Sequence, residues 1–234
     1  MTPDNERRHL LALAGITLSS VLVNGAFGAA REAENEDVGA VEDLMREHGI
    51  IRRAILVYRS SAAKLRAGEK LDPKPLERSA KLLRTFGEDY HERKLEEAHI
   101  FPALKKAGGR AAGYIDTLID QHRRGRDITE FILARVSKGS VAGGDAVPLS
   151  RAMDAFELMY EHHAAHEDTI IFPAWKKTMT GPQLKEMGEK FEDIERQEFG
   201  KDGFDDAEKQ ISAIESELGL ASIAHFTPAR PQKA

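Results

Sequence analysis

A chain of 234 residues, 41% hydrophobic, can bury one substantial core. Its 34 basic and 39 acidic residues, intermixed to a net charge of −5, leave no basic face for nucleic acid. The absence of cysteine excludes disulfides and thiolate ligands, so any bound metal must be held by imidazole and carboxylate, a set suited to iron or manganese and less to zinc. Aromatic residues are few, and glycine and proline gather between long periodic stretches, a balance that points to an all-α protein with solvated outer faces.

Residues 10–30, LLALAGITLSSVLVNGAFGAA, carry no charge, follow Arg7 and Arg8 closely, and give way abruptly to REAENED. This anatomy predicts an export signal over residues 1–30 that resembles the twin-arginine type, with the export machinery as partner and the periplasm as destination. The small residues Ala26, Gly28 and Ala30 permit more than one cleavage point. An uncleaved N-terminal membrane anchor is the alternative.

Four periodic segments follow, at about 38–66, 73–105, 108–138 and 147–178, separated by GEKLDPKP, AGG and SKGSVAGGDAVP. Short connections between long helices predict antiparallel neighbours, hence an up-down-up-down four-helix bundle over residues 38–178. Asp72 and Asp145 stand where N-terminal caps are needed, and Gly108 with Gly109 where the second helix should stop. Two weaker helices over 180–220, one opening at Thr180-Gly181-Pro182 and carrying Phe191 and Ile194, the other carrying Phe204 and Ile211, are expected to pack as lids. A disordered tail is expected over 221–234.

The apolar stripes place polar residues inside. On the first helix, Val41, Leu44, Ile51, Ile55, Tyr58 and Leu65 share a face with His48. On the third, Ala111, Ile115, Leu118, Ile132 and Val136 share one with His122, Gly125 and Thr129. On the fourth, Leu149, Phe156, Met159, Ile170 and Ala174 define the core face, and His163 lies on it with Glu167 at i,i+4, where both side chains can meet one site. The second helix is less tidy, with Leu83, Tyr90, Ala98 and Phe101 marking its inner face and His91 beside them. Superposing Phe101-Pro102 on Phe172-Pro173 matches Glu96 with Glu167 and Glu97 with Asp168, but leaves His91 opposite His162 and Glu92 opposite His163. His91 and Glu96, five apart, lie ~140° apart on a regular α-helix at ~100° per residue. Either the helix widens by one residue in a π-bulge between them, the expectation preferred here, or the carboxylates in use are Glu92 and Glu96.

An inward histidine on each of four consecutive helices, with carboxylates on the second and fourth, is what a two-metal site in a bundle core requires. The expected ligands are His48, His91, Glu96, His122, His163 and Glu167, with Glu92, Glu97 and His162 as substitutes. Four imidazoles and two carboxylates buried without a partner would cost several kcal/mol. His162 and His166 are expected outside the ligand set. Tyr58, Tyr90, Tyr114 and Tyr160 read first as packing, with hydrogen bonding or redox as the functional alternative, and Arg123, Arg124 and Arg126 read as a solvated face.

His48, then His91 with Glu96-Glu97 ahead of IFP, then His122, then His163-x-x-x-Glu167 ahead of IFP, together resemble the hemerythrin-like cation-binding domain, exported bacterial members in particular. The resemblance implies a non-haem di-iron centre, two irons per chain, bridged by two carboxylates and an oxo or hydroxo group. Oxygen-carrying hemerythrins place two histidines at i,i+4 on the third helix, and here the second position is Arg126. One imidazole fewer leaves more open coordination. The expected function is therefore binding or reaction with dioxygen or peroxide, catalase-like in one version, with a non-catalytic iron or oxygen sensor as the alternative.

Overall fold

The computed structural model describes residues 38–231 apart from residue 142, and among these the chain is helical with no strand. The expected export signal, residues 1–30, lies outside the described residues. No helix among those described is long and apolar enough to cross a membrane.

The first rod is α1, Ala40–Arg66, which buries Val41, Leu44, Ile51, Ile55 and Tyr58 at 3-4 spacing. Glu42 and Asp43 in its first turn and Lys64 and Arg66 in its last complement the helix dipole. The second rod is continuous through three segments: α2 (Pro73–Leu82), a π-helix, π1 (Leu83–Ile100), and α3 (Phe101–Ala107). Asp72 caps it by accepting from the Lys74 amide at 3.1 Å, and Pro73 takes a first-turn position that needs no N–H. Gly108 and Gly109, at φ +72° and +80°, turn the chain where a side chain would be strained. After a single turn, α4 (Gly109–Ala112), the third rod is α5 (Ile115–Val136). The fourth comprises α6 (Ala146–His166), a shorter π run, π2 (Glu167–Ile171), and α7 (Phe172–Lys176). Asp145 makes no capping contact through its side chain, which instead faces Arg135 at 3.5 Å.

The sequence predicts one bulge, and the structure has two π runs of unequal length, each ending at a Phe-Pro step. Pro102 and Pro173 have no N–H to give, and in an α-helix their rings would press on the carbonyls of Ala98 and Thr169. The wider turn relieves that clash. The amides of Phe101 and Phe172 donate five residues back, to the carbonyls of Glu96 and Glu167. The extra residue also shifts the buried face. Ala98, expected inside, is exposed, while Leu95 and Ile100 are buried. On the fourth rod Ile171, Phe172 and Trp175 are buried, and Ile170 and Ala174 only partly so.

Around the bundle the first rod packs on the second and fourth, and the third packs on the same two. Two further helices, α8 (Gly181–Phe199) and α9 (Gly203–Leu218), cover the side formed by the first two rods. Arg53 of α1 ties α9 down through paired hydrogen bonds to Glu215 at 3.0 and 2.6 Å and one to Glu208 at 3.1 Å. Phe191 of α8 stacks on Trp175 at 5.6 Å between ring centres, and Phe199 meets Tyr90 edge-on at 5.2 Å. The tail expected to be disordered holds one 3-10 turn, Ile223–Phe226, which is exposed.

Candidate metal centre

His48, His91, Glu96, His122, His163 and Glu167 are all brought together inside the bundle, none more than 4% exposed. The i→i+5 bonding of π1 stacks His91 and Glu96 on one face, so the two side chains converge despite their spacing. One Glu96 oxygen lies 3.5 Å from His91 Nε2 and the other 3.3 Å from His122 Nε2. Glu167 Oε2 lies 2.9 Å from His163 Nε2 and 3.5 Å from His48 Nε2. Two overlapping inward ligand groups result, Glu96-His122-His163-Glu167 and His48-His91-Glu96, with a third, Glu92-Glu97-His122, on the outer side of His122; the ligand atoms of each lie within 4.8 Å of one another. Glu96 belongs to both inward groups.

The outer nitrogens of the imidazoles explain which way the lone pairs point. His48 Nδ1 faces Asp168 Oδ1 at 2.7 Å, and His91 Nδ1 faces Glu47 Oε2 at 2.5 Å. His122 Nδ1 faces Glu97 Oε1 at 2.8 Å, and His163 Nδ1 faces Gln121 Oε1 at 2.9 Å. All four partners are acceptors, so each neutral imidazole carries its proton on Nδ1 and turns an Nε2 lone pair inward. Two of those lone pairs, on His122 and His163, face each other at 3.1 Å. Between them and their counterparts lie both oxygens of Glu96 and both of Glu167, buried with no hydrogen-bond donor, as is His91 Nε2. Acceptors facing acceptors repel one another, and a cation satisfies them together. The residues therefore fit a metal.

Protons are a poorer counter-charge. Burial opposes a charge on His91 and on His122, yet the surrounding carboxylates, Glu96 common to both, raise each imidazole well above its ordinary range. The long contacts to Glu96 are what that protonation gains. Glu167 is pushed up to about 8 by burial and the nearby Glu96 charge, and His163 down to about 3 by burial and His122.

Asp168 receives a hydrogen bond from Arg52 at 2.6 Å, and Glu97 one from Arg126 at 2.6 Å. Arg126 also reaches Glu92 at 3.2 Å and is only 11% exposed at its side chain. It is thus not the solvated residue expected, because the buried carboxylate of Glu92 and the half-buried one of Glu97 draw it inward; Arg123 and Arg124 do face solvent. Glu92 is held on the outer side of His122, 3.9 Å from Nδ1, away from the inward lone pairs. His162 is exposed, and His166 bonds to the His162 carbonyl.

The arrangement repeats. Glu47-His48 with Arg52 four residues beyond His48 corresponds to Gln121-His122 with Arg126, and His91 with Glu96-Glu97 corresponds to His163 with Glu167-Asp168. Glu47, Arg52 and Gln121 were missed as parts of the site from the sequence. The recurrence of Glu/Gln-His-x-x-x-Arg on the first and third helices is the signal that finds them.

The family model described as Hemerythrin HHE cation binding domain matches residues 39–175. The chain belongs to the hemerythrin-like family. The match spans all four rods and all six inward residues, and the hemerythrin-like domain ends before α8 and α9. The chain is also 35% identical, over 233 residues, to uncharacterized proteins of Mycobacterium bovis and Mycobacterium tuberculosis, with 95% of this chain and 91% of each relative covered. No solved structure matches it.

Proposed function

We propose that this hemerythrin-like chain holds two iron ions, one at His48 and His91 and one at His122 and His163, with Glu96 and Glu167 shared between them, and that the pair binds or reacts with dioxygen or peroxide. The single observation that supports this most is Glu96, which turns one undonated oxygen toward each histidine pair. An iron pair held there, completed by an oxo or hydroxo group, would supply two-electron chemistry, as peroxide decomposition needs. The chain's part is to set all four imidazole tautomers, to pack the buried rings of Phe101 and Phe172 against His122 and His48, and to offer one hydrogen-bond donor. That donor is Tyr160. Its hydroxyl is buried with no partner, and its ring lies 6.0 Å from that of His48 and 5.8 Å from that of His163. It can donate a hydrogen bond to an oxygen ligand. The signal-like N-terminus supports a periplasmic setting as part of the same proposal.

Elemental analysis of the purified chain is expected to give about two irons per chain, with charge-transfer absorption that changes on peroxide addition and with oxygen evolved from peroxide. Full iron loading without oxygen evolution would make it a binding or sensing protein; failure to take up iron anaerobically would remove the proposal. Tyr160→Phe should keep the iron and slow peroxide turnover about tenfold, the worth of one hydrogen bond of ~1.4 kcal/mol. Unchanged turnover would assign Tyr160 to packing.

A further inference from the structure

The two halves of the centre are built to the same plan and differ in one of their four Nδ1 acceptors. Three of the four Nδ1 protons are given to carboxylates: His48 to Asp168, His122 to Glu97 and His91 to Glu47. The fourth, from His163, is given to the neutral amide oxygen of Gln121. The carboxylates behind His48 and His122 are matched again by their arginines, Arg52 and Arg126, each at 2.6 Å. Glu92, the remaining charged group on the His122 side, is paired with Arg126 and is out of hydrogen-bond reach of the imidazole. Arg126 thus serves two carboxylates, and the difference that falls directly on an imidazole is Glu47 on His91 against Gln121 on His163. Glu47 is buried and fixed by a second hydrogen bond, from the Tyr90 hydroxyl at 2.9 Å, so it stays aimed at His91.

We infer that Glu47 makes the His48-His91 half of the centre the tighter cation site and that Gln121 makes the His122-His163 half the weaker and more exchangeable one. An anionic acceptor draws the Nδ1 proton toward itself and leaves the Nε2 lone pair more basic, while an amide draws it less. Such outer partners change metal affinity by about 10–100-fold. The inference rests on the two-cation reading above and assigns Glu47 and Gln121 as positioning residues that act through His91 and His163. The half backed by Gln121 then loses its cation first.

Cobalt(II) is a suitable probe because its visible absorption reports each site as it fills. Repulsion between two bound cations is removed by emptying one half at a time. His163→Ala is expected to leave one site, at His48-His91, that binds cobalt at least about tenfold more tightly than the single site left by His91→Ala, as measured by competition with a chelator. Adding Glu47→Gln to His163→Ala should erase that advantage, and adding Gln121→Glu to His91→Ala, where the acceptor still faces His163, should tighten the weaker site. Equal affinities in the two single-histidine variants, the reverse order, or no response to either exchange would overturn the inference while leaving the cation site intact. A full-length wild-type chain that binds no cobalt would overturn the cation reading itself, and this inference with it.

Discussion

Glu96→Gln is expected to strip the chain of tight cation binding, lowering the affinity for iron by about two orders of magnitude or more and leaving fewer than two ions bound after dialysis. Glu96 is common to the two inward ligand groups and offers a separate oxygen to each, whereas Glu167 turns a single oxygen toward both His163 and His48. The two Glu96 oxygens are divided between His91 and His122, and an amide would put an N–H₂ group, a donor with no lone pair for a metal, at one of them. Glutamine is close to isosteric, so the bundle should still form. Glu92→Gln is the informative contrast. Glu92 lies beyond His122 against Arg126, and its substitution should leave both ions in place. Iron counts per chain for the two variants decide the matter: full retention in the Glu96 variant, or loss in the Glu92 variant, would move the shared ligand to Glu92.

Without metal, the protein should lose stability as pH rises from 6.5 to 8, and cation loading should reverse that trend. The carboxyls of Glu167 and Glu92 are each pushed up to about 8, chiefly by burial, against about 4.5 in an unfolded chain. The folded state therefore binds the proton more tightly, and stability falls as pH climbs between those values, by about 1.4 kcal/mol per pH unit for each group. Asp43 and Glu195, raised to about 7 by burial, act in the same sense. His91 and His122, whose neighbouring carboxylates outweigh burial, add stability that is lost as pH rises toward their elevated values. His163, lowered to about 3, works the other way, since the unfolded chain binds its proton more readily up to about 6.5. Above that point nothing in this set opposes the fall. Metal binding needs the same ligands deprotonated, so loading should tighten with pH and release protons. Thermal unfolding of chelated and iron-loaded samples at pH 6.5, 7.2 and 8 gives the two slopes; a chelated protein that is more stable at pH 8 than at 6.5 contradicts the argument.

The bundle was legible because its first and third helices keep an unbroken period. His48 falls in step with Leu44 and Ile51, and His122 with Leu118 and Gly125, so burial of those histidines follows from spacing alone. The second helix and the end of the fourth were harder. A π turn changes the period without changing composition, so Ala98 and Ile170 were read onto the inner face in place of Ile100 and Ile171. The Phe-Pro steps mark where this happens but not how far it extends, and one runs through Leu83–Ile100 while the other covers only Glu167–Ile171. Glu47 and Gln121 escape single-helix periodicity for another reason. Each precedes an inward histidine, at a position that single-helix periodicity assigns to a flank, and only the neighbouring helix shows what it meets. Arg126 is the same case, a residue of a charged run drawn inward by Glu92 and Glu97 of another rod.

The four imidazole contacts also close on themselves. His48 on the first rod gives its proton to the fourth, His163 on the fourth to the third, His122 on the third to the second, and His91 on the second back to the first. No rod is anchored to only one neighbour, so prising any of them away breaks two links of the loop at once. A rod that swings outward must give up hydrogen bonds to both of its neighbours, so access to the middle is coupled to local opening of the bundle.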